Sequence, residues 1–358
     1  MRNRRYFPAA VRFLFSHAVR ILASAAVMNL CLTADAVAGR GDKAGTAAAN
    51  ELLIPIGARG VSLGGSSLAT VEGLEAIFWN PAGLVRSNFP SAAMVSHMKY
   101  LDDIGVDYLG VCTDLGDFGK LGLSIKSLSF GSIPITTEDA PDGTGEVANP
   151  ADYVLGATIA RLVTDHIAFG VNGNYIIEEM DKTSATGFAF TAGIQYRGLG
   201  GIDDLSVGVV IRNLGSQIKY SGDGLTRNAT IDDNLRPSSE VKIEAASNDL
   251  PSTIEIGLGY VSTIADNSVM NFTSTFQNNN YSDDAYKFGA EYVYEKFLAF
   301  RGGYTYVATE ASALSIFGPS FGFGVVTSVE GANVAIDYSY SAVRFFGANH
   351  IIALTVGF

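Results

Sequence analysis

The sequence predicts an all-β fold, a transmembrane antiparallel β-barrel of about fourteen strands. Three observations carry this. From about Ser91 onward, apolar and polar residues alternate in blocks of about ten, the pattern of strands with one greasy and one polar face. Long connections follow the odd-numbered blocks, and short ones follow the even-numbered blocks. The chain also closes on an alternating segment, "HIIALTVGF", whose Ile352, Leu354, Val356 and Phe358 share a face.

The blocks fall near 91–100, 104–113, 119–130, 152–161, 166–177, 185–196, 204–212, 252–263, 267–277, 285–295, 298–308, 319–328, 332–342 and 350–358. In Ala285 to Glu295, Tyr286, Phe288, Ala290, Tyr292 and Tyr294 oppose Lys287, Gly289, Glu291 and Val293. In "GANVAIDYSYS", Val334, Ile336, Tyr338 and Tyr340 oppose Asp337. A soluble sandwich also alternates, with its greasy faces turned to a shared core. Segment length decides between the two. A tilted strand needs about 9–11 residues to cross the hydrocarbon layer, whereas globular strands average about 5–6.

The placement of charge agrees with a lipid-facing wall. Arg212, Glu255, Lys287, Glu291, Arg301 and Asp337 all lie on the polar parity and are expected to face the lumen, pairing there in an internal network. Arg161 breaks parity, but at a strand end where its head reaches water. The long connections 131–151, 213–251 and 309–318 are rich in Gly, Asp, Asn and Ser and belong to one end of the barrel. An even strand count brings both termini to the other end, which is periplasmic in bacterial barrels.

Residues 1–38 read as a cleaved export signal. Arg2, Arg4, Arg5, Arg12 and Arg20 precede an apolar run from Ile21 to Leu32, and Ala34-Asp35-Ala36 and Ala36-Val37-Ala38 fit the small-residue cleavage pattern. Cys31 follows the bulky Leu30, unlike a lipoprotein site, and cleavage leaves only Cys112, so no internal disulfide is expected. No later stretch is long and apolar enough for a helical span. The formal charge of −12, from 24 basic and 36 acidic side chains, argues against a nucleic-acid partner. The organisation is thus signal 1–38, a preceding segment 39–90, and barrel 91–358 in the bacterial outer membrane, with membrane lipid as its first partner.

The segment before the barrel contains "IGARGVSLGGSSLATVEGLEAIFWNPAGL". Gly73 to Trp79 suits two helical turns stopped by Asn80-Pro81, since a residue before proline is pushed out of the α region. Gly57, Gly60, Gly64 and Gly65 supply backbone that turns and packs closely. This stretch resembles the N-terminal region of FadL-like outer-membrane barrels, most closely the PorV/PorQ branch. The shared pattern is Gly-Ala-Arg (57–59), Gly64-Gly65, a small-residue strand, Glu72, then Trp79-Asn80-Pro81-Ala82-Gly83-Leu84. "VIRNLG" at 210–215 is similar to a second recurrent piece, where a strand ends at an Asn-Leu-Gly corner. The resemblance implies fourteen strands, a plug or hatch folded into the lumen, Trp79 packed against the inner wall, and Asn80, Pro81 and Ala82 positioning the plug. The terminal Phe358 resembles the signal that barrel assembly machinery reads.

No enzyme signature is present. His97, His166 and His350 are widely spaced, so no metal or cofactor is expected, and Gly119-Lys120 lacks the glycines of a phosphate loop. The acidic stretches "TTEDAPDGTGE" and "TIDDNL" admit a calcium site but read first as solvated loops. Two functions follow from the resemblance. One is transport of long-chain fatty acids or other hydrophobic compounds. The other is a PorV-like part in type IX secretion, escorting cargo proteins to the surface.

Overall fold

The computed structural model describes residues 45–102, 104–229, 239–307, 316–329 and 331–358. The expected export segment 1–38 and the acidic stretch 230–235 lie outside the described residues. Fourteen strands close into one antiparallel barrel. They are β1 (Ser91–Tyr100), β2 (Ile104–Asp114), β3 (Lys120–Ser129), β4 (Ala151–Leu162), β5 (Ile167–Met180), β6 (Thr183–Arg197) and β7 (Leu205–Gly215). The second half comprises β8 (Thr253–Ala265), β9 (Ser268–Asn279), β10 (Ala285–Tyr294), β11 (Leu298–Val307), β12 (Phe317–Val329), β13 (Ala332–Val343) and β14 (Asn349–Gly357). β1 pairs with β14 to close the wall. Phe358 completes the seam, exchanging backbone hydrogen bonds with Ser91 at 2.9 and 3.0 Å.

The outer wall is apolar. Val95, Leu109, Leu123, Ile159, Phe188, Ile256, Phe300, Phe321 and Ile352 are exposed and stand on alternate positions of their strands. Their neighbours point inward, so the wall is oily outside and polar within, the arrangement of a membrane-crossing barrel. Among the described residues no helix is long and apolar enough to cross a membrane. The longest connections, 130–150 and 216–252, lie at the same end of the barrel. They carry three short hairpins: Ile133–Pro134 with Val147–Ala148, Ile218–Lys219 with Ser247–Asn248, and Thr226–Ala229 with Ser239–Lys242. That end is called the loop end below, and the opposite one the turn end.

One expected corner is different. At Arg212-Asn213-Leu214 the strand does not end; it bulges. The β6–β7 register shifts between Phe190 and Ala192, and Asn213 takes φ 54°, a left-handed conformation that asparagine tolerates. The Asn213 N–H donates to Thr191 Oγ1 at 3.3 Å, and β7 runs on to Gly215. The extra residue leaves both Arg212 and Asn213 buried on the lumen side.

Inside the wall lies the segment that precedes β1. It is a chain of short helical turns, with α1 (Ala58–Ser62) and α2 (Ala76–Trp79) separated and flanked by 3-10 turns. The piece after Gly64-Gly65, extended in the family pattern, is instead a 3-10 turn, Ser67–Ala69. Asn80 ends α2, as the sequence predicts, and at the same time caps a new 3-10 helix, Pro81–Arg86, its side chain accepting from the Ala82 N–H at 3.2 Å. Its own extended backbone, φ −160° and ψ 105°, is what the following proline requires.

Candidate functional site

The site is the contact between this plug and the wall. A plug built from short turns exposes many backbone carbonyls, and each one buried without a partner costs free energy. The wall supplies the donors. Lys126 Nζ donates to the Glu51 and Ile54 carbonyls at 2.5 and 3.0 Å, and Lys120 Nζ to those of Ser87 and Phe89 at 3.1 and 2.6 Å. Gln195 Nε2 reaches the Leu68 and Val71 carbonyls at 3.2 and 2.9 Å. Thr305 and Thr275 hydroxyls donate to the Gly64 and Ser66 carbonyls at 2.9 and 3.1 Å.

The guanidinium of Arg212 ends α2. It donates to the Phe78 carbonyl and, at 2.5 Å, to that of Trp79, where the helix leaves acceptors and its dipole is negative. Arg212 Nε also lies 2.6 Å from Glu255 Oε1, an ion pair whose angle is not that of a hydrogen bond, and Lys287 Nζ stands 3.6 Å from the other oxygen. A second cluster lies further along β10 and on β11 and β13. Glu291 accepts two bonds from the plug's Arg59, at 2.9 and 2.7 Å, one from Arg301 at 2.7 Å and one from Asn271 at 2.8 Å. Arg301 continues to Asp337 at 2.5 Å. All six charged wall residues read from strand parity therefore stand in the lumen, divided between these two clusters.

The plug holds itself in the same way. Glu75 accepts from the backbone N–H groups of Arg59 and Gly60, at 3.0 and 2.9 Å, at the start of α1. Burial, then the charge of Asp337, pushes Glu75 up to about 7. Glu51, beside Glu178 of β5, is pushed up to about 8, by burial first and then by that neighbour. The backbone N–H of Ala49 donates to Glu178 Oε1 at 3.1 Å. At the turn end, Glu72 pairs with Arg197, and Arg86 donates to the His166 carbonyl at 2.7 Å.

The motif residues occupy the middle of this assembly. Asn80 is fully buried and its amide donates to Leu68 within the plug and to Ile194 of the wall, at 3.0 and 3.1 Å. Pro81, Ala82, Gly83 and Leu84 are buried around it. The wall meets them with glycines, because there is no room for more. A Cβ on Gly193 would stand 2.1 Å from Asn80 Oδ1, and one on Gly170 2.4 Å from the Pro81 carbonyl carbon. Gly64 and Gly65 take φ 63° and 75°, letting the chain turn flat against Gly303. Trp79 packs both within the plug and against the wall, where the Arg212 guanidinium carbon stands 5.8 Å from its ring. Its indole N–H donates to the Ile56 carbonyl at 3.2 Å and its ring fills the space a side chain on Gly60 would need.

Sequence reading missed Lys120, Lys126 and Glu178 as lumen residues, although their strand parity marks them. It did not find Glu75, whose role depends on the packing of α1 and α2. Between plug and wall remains a cavity of about 40 Å³, bordered by Ile56, Phe78, Tyr108, Lys126, Asn172 and Arg212. The Phe78 ring stands between two cations, 5.3 Å from Lys126 Nζ and 5.1 Å from the Arg212 guanidinium carbon. That volume suits a few waters and is far below the roughly 300–1,000 Å³ of a small-molecule pocket.

No protein-family model and no curated protein matches this sequence. Solved structures do. The CymD monoaromatic hydrocarbon channel aligns at TM-score 0.53 with 14% identity, over 85% of this chain and 97% of that one. The fold is that of the hydrocarbon-channel barrels. The P. putida toluene transporter TodX gives 0.53 and 13%, over 85% and 99%. At such identity the likeness is one of fold alone.

Proposed function

We propose that this chain is an outer-membrane channel for small hydrophobic compounds, gated by movement of the plug. The supporting observation is the plug itself: the lumen of a hydrocarbon-channel fold is filled by the chain's own segment, held by hydrogen bonds and ion pairs. Such contacts exchange, so the plug is able to shift without breaking the wall. On this reading residues 1–38 direct export, the turn end with both barrel termini is periplasmic, and Phe358 serves barrel assembly. Long-chain fatty acids are one candidate cargo, and the aromatic hydrocarbons in the names of CymD and TodX are another.

A disulfide lock tests the gate. Ser66 Oγ of the plug lies 2.6 Å from Thr273 Oγ1 of β9, so cysteines at these positions bring two sulfurs within bonding range. In proteoliposomes of S66C/T273C with Cys112 replaced by Ser, oxidation is expected to abolish uptake of toluene and oleate, and reduction to restore it. Equal uptake in both states rejects gating by the plug.

A second reading has its own support. The small cavity and the three loop-end hairpins suit a stationary barrel presenting a protein-binding surface, as in PorV-like escort of secreted cargo. Uptake of neither probe by the reduced protein, together with co-purification of a secreted protein lost on deleting 216–252, would favour it.

A further inference from the structure

On the outer wall, charged and imidazole side chains gather where β14, β1 and β2 meet. On β1 the outward positions after Val95 are His97 and Lys99, both exposed. Asp107 of β2 lies directly opposite His97, and His350 of β14 directly opposite Lys99. Tyr338 and Tyr340 of β13 extend the stripe, the latter in register with His350. Polar side chains thus run across four adjacent strands on the face that elsewhere carries Val, Leu, Ile and Phe.

Their height follows from the strand. β1 has 10 residues and about 9–11 are needed to span the hydrocarbon, so β1 has none to spare. His97 lies three residues from its loop end. At about 3.3 Å per residue and a tilt near 40°, that is about 8 Å below the rim, with Lys99 roughly one step below it. Lys99 and its cross-strand partner His350 therefore stand where acyl chains meet headgroups, and His97 lies beneath them on the hydrocarbon side.

Hydrogen bonds fix the two rings differently. His97 Nδ1 is 2.7 Å from Asp107 Oδ1 and donates to it, the exposures being 65% and 69%, so the Nε2 of the neutral ring is an acceptor. His350 Nδ1 is 2.7 Å from the Tyr338 hydroxyl, and with that hydroxyl donating, His350 presents an Nε2–H donor away from the wall. His97 engages one oxygen of Asp107, and Lys99 is in register with His350 on the neighbouring strand. An ammonium beside an imidazole N–H complements an anion with several acceptor oxygens.

We propose that Lys99 and His350 form a site for a phosphate group of an outer-leaflet lipid headgroup. The proposal rests on reading the wall as lipid-facing and is independent of what crosses the lumen. It makes this sector a fixed point of contact between barrel and bilayer.

The test places the purified protein in nanodiscs of neutral lipid containing bis-phosphorylated lipid A, and counts retained lipid A by native mass spectrometry. K99A/H350A is expected to retain about tenfold less than wild type, while removing the phosphates from lipid A lowers wild-type retention by the same factor. Folding is checked by heat-modifiable migration on gels. If the double variant fails that check, Lys99→Gln alone is used, with about a threefold loss expected. Equal retention by wild type and variant overturns the proposal, as does retention that ignores the phosphates. Displacement of lipid A by millimolar inorganic phosphate would show a general phosphate site and overturn the lipid assignment. Loss of a dimer without loss of lipid would show an interface between copies instead.

Discussion

The two sides of the lumen hold the plug by different means. On the side of β3, β6 and β7, Lys126, Gln195 and Arg212 bind backbone carbonyls of the plug. On the side of β10, β11 and β13, Glu291 binds one plug side chain, Arg59, and is itself held by Arg301, which Asp337 pairs in turn. A carbonyl clamp reads the path of the chain and tolerates many plug sequences. An ion-pair clamp reads a single residue and fails when it changes. The same plug is thus positioned by shape alone on one side, and on the other by identity as well, beside the carbonyl bonds from Thr275 and Thr305.

Arg212 tests the first side hardest. Arg212→Ala strips the donors from the Phe78 and Trp79 carbonyls and leaves Glu255 with Lys287 and the Thr253 hydroxyl. Removing one partner of a buried charged pair costs about 3–5 kcal/mol. The expected outcome is a loss of that size in urea unfolding, with early hydrogen exchange across 76–86. A loss below about 1 kcal/mol would mean the clamp is replaced by water. Glu291→Gln tests the second side, setting Arg59 against Arg301 with one neutral amide between them. About 3 kcal/mol is expected. Here the loss should shrink when Arg59→Met is added, because one orphaned cation goes with it. An undiminished loss in the double variant would show that Arg59 is not what Glu291 holds.

This division also explains what the sequence disclosed. Strand parity is a local property, so all fourteen strands were legible, as was the inward position of Lys287, Glu291 and Asp337. The ends of β5 and β6 were placed short because Glu178, Glu179, Ser184 and Thr183 are polar on both faces, where the wall rises beyond the apolar band. The clamps were not legible. Lys126 binds carbonyls 72 and 75 residues away, and a carbonyl carries no residue type to be read. The bulge at Asn213 looked like a corner because left-handed asparagine serves both.

Proton linkage bears on both sides at once. Glu51 belongs to the first side and Glu75 to the second, and both are raised, to about 8 and about 7, from an ordinary 4.5. A raised carboxyl means the seated plug binds protons that the released plug gives up. The stabilisation is therefore full below about pH 4.5 and is lost as pH rises through 7 and 8. Glu178, Asp152 and Lys126 surround Glu51, and Asp337, Arg59 and Arg301 surround Glu75. A released plug stays inside the lumen and regains only part of its hydration, so the effect falls short of full linkage. About a hundredfold less exchange protection at pH 8.5 than at pH 5 is expected over 49–62, after correction for intrinsic rates. Protection that rises with pH would reverse the assignment. E51Q should remove the pH dependence at 49–54 and leave it at 58–62.

The smallest effect comes from a bridge with the chemistry of Arg59–Glu291 and a different setting. Arg197 and Glu72 are 33% and 40% exposed, against 24% and 3% for the lumen pair. Water already solvates both ends, and neither charge is stranded when its partner goes. Arg197→Gln is expected to cost less than about 1 kcal/mol and to lose its effect in high salt. Exchange at 69–73 should rise slightly, with 58–62 unchanged. If instead it cost about 3 kcal/mol, as Glu291→Gln does, burial would not be what separates strong ties from weak ones. The plug would then be fastened at the turn end, and the clamps deeper in the lumen would follow from that seating.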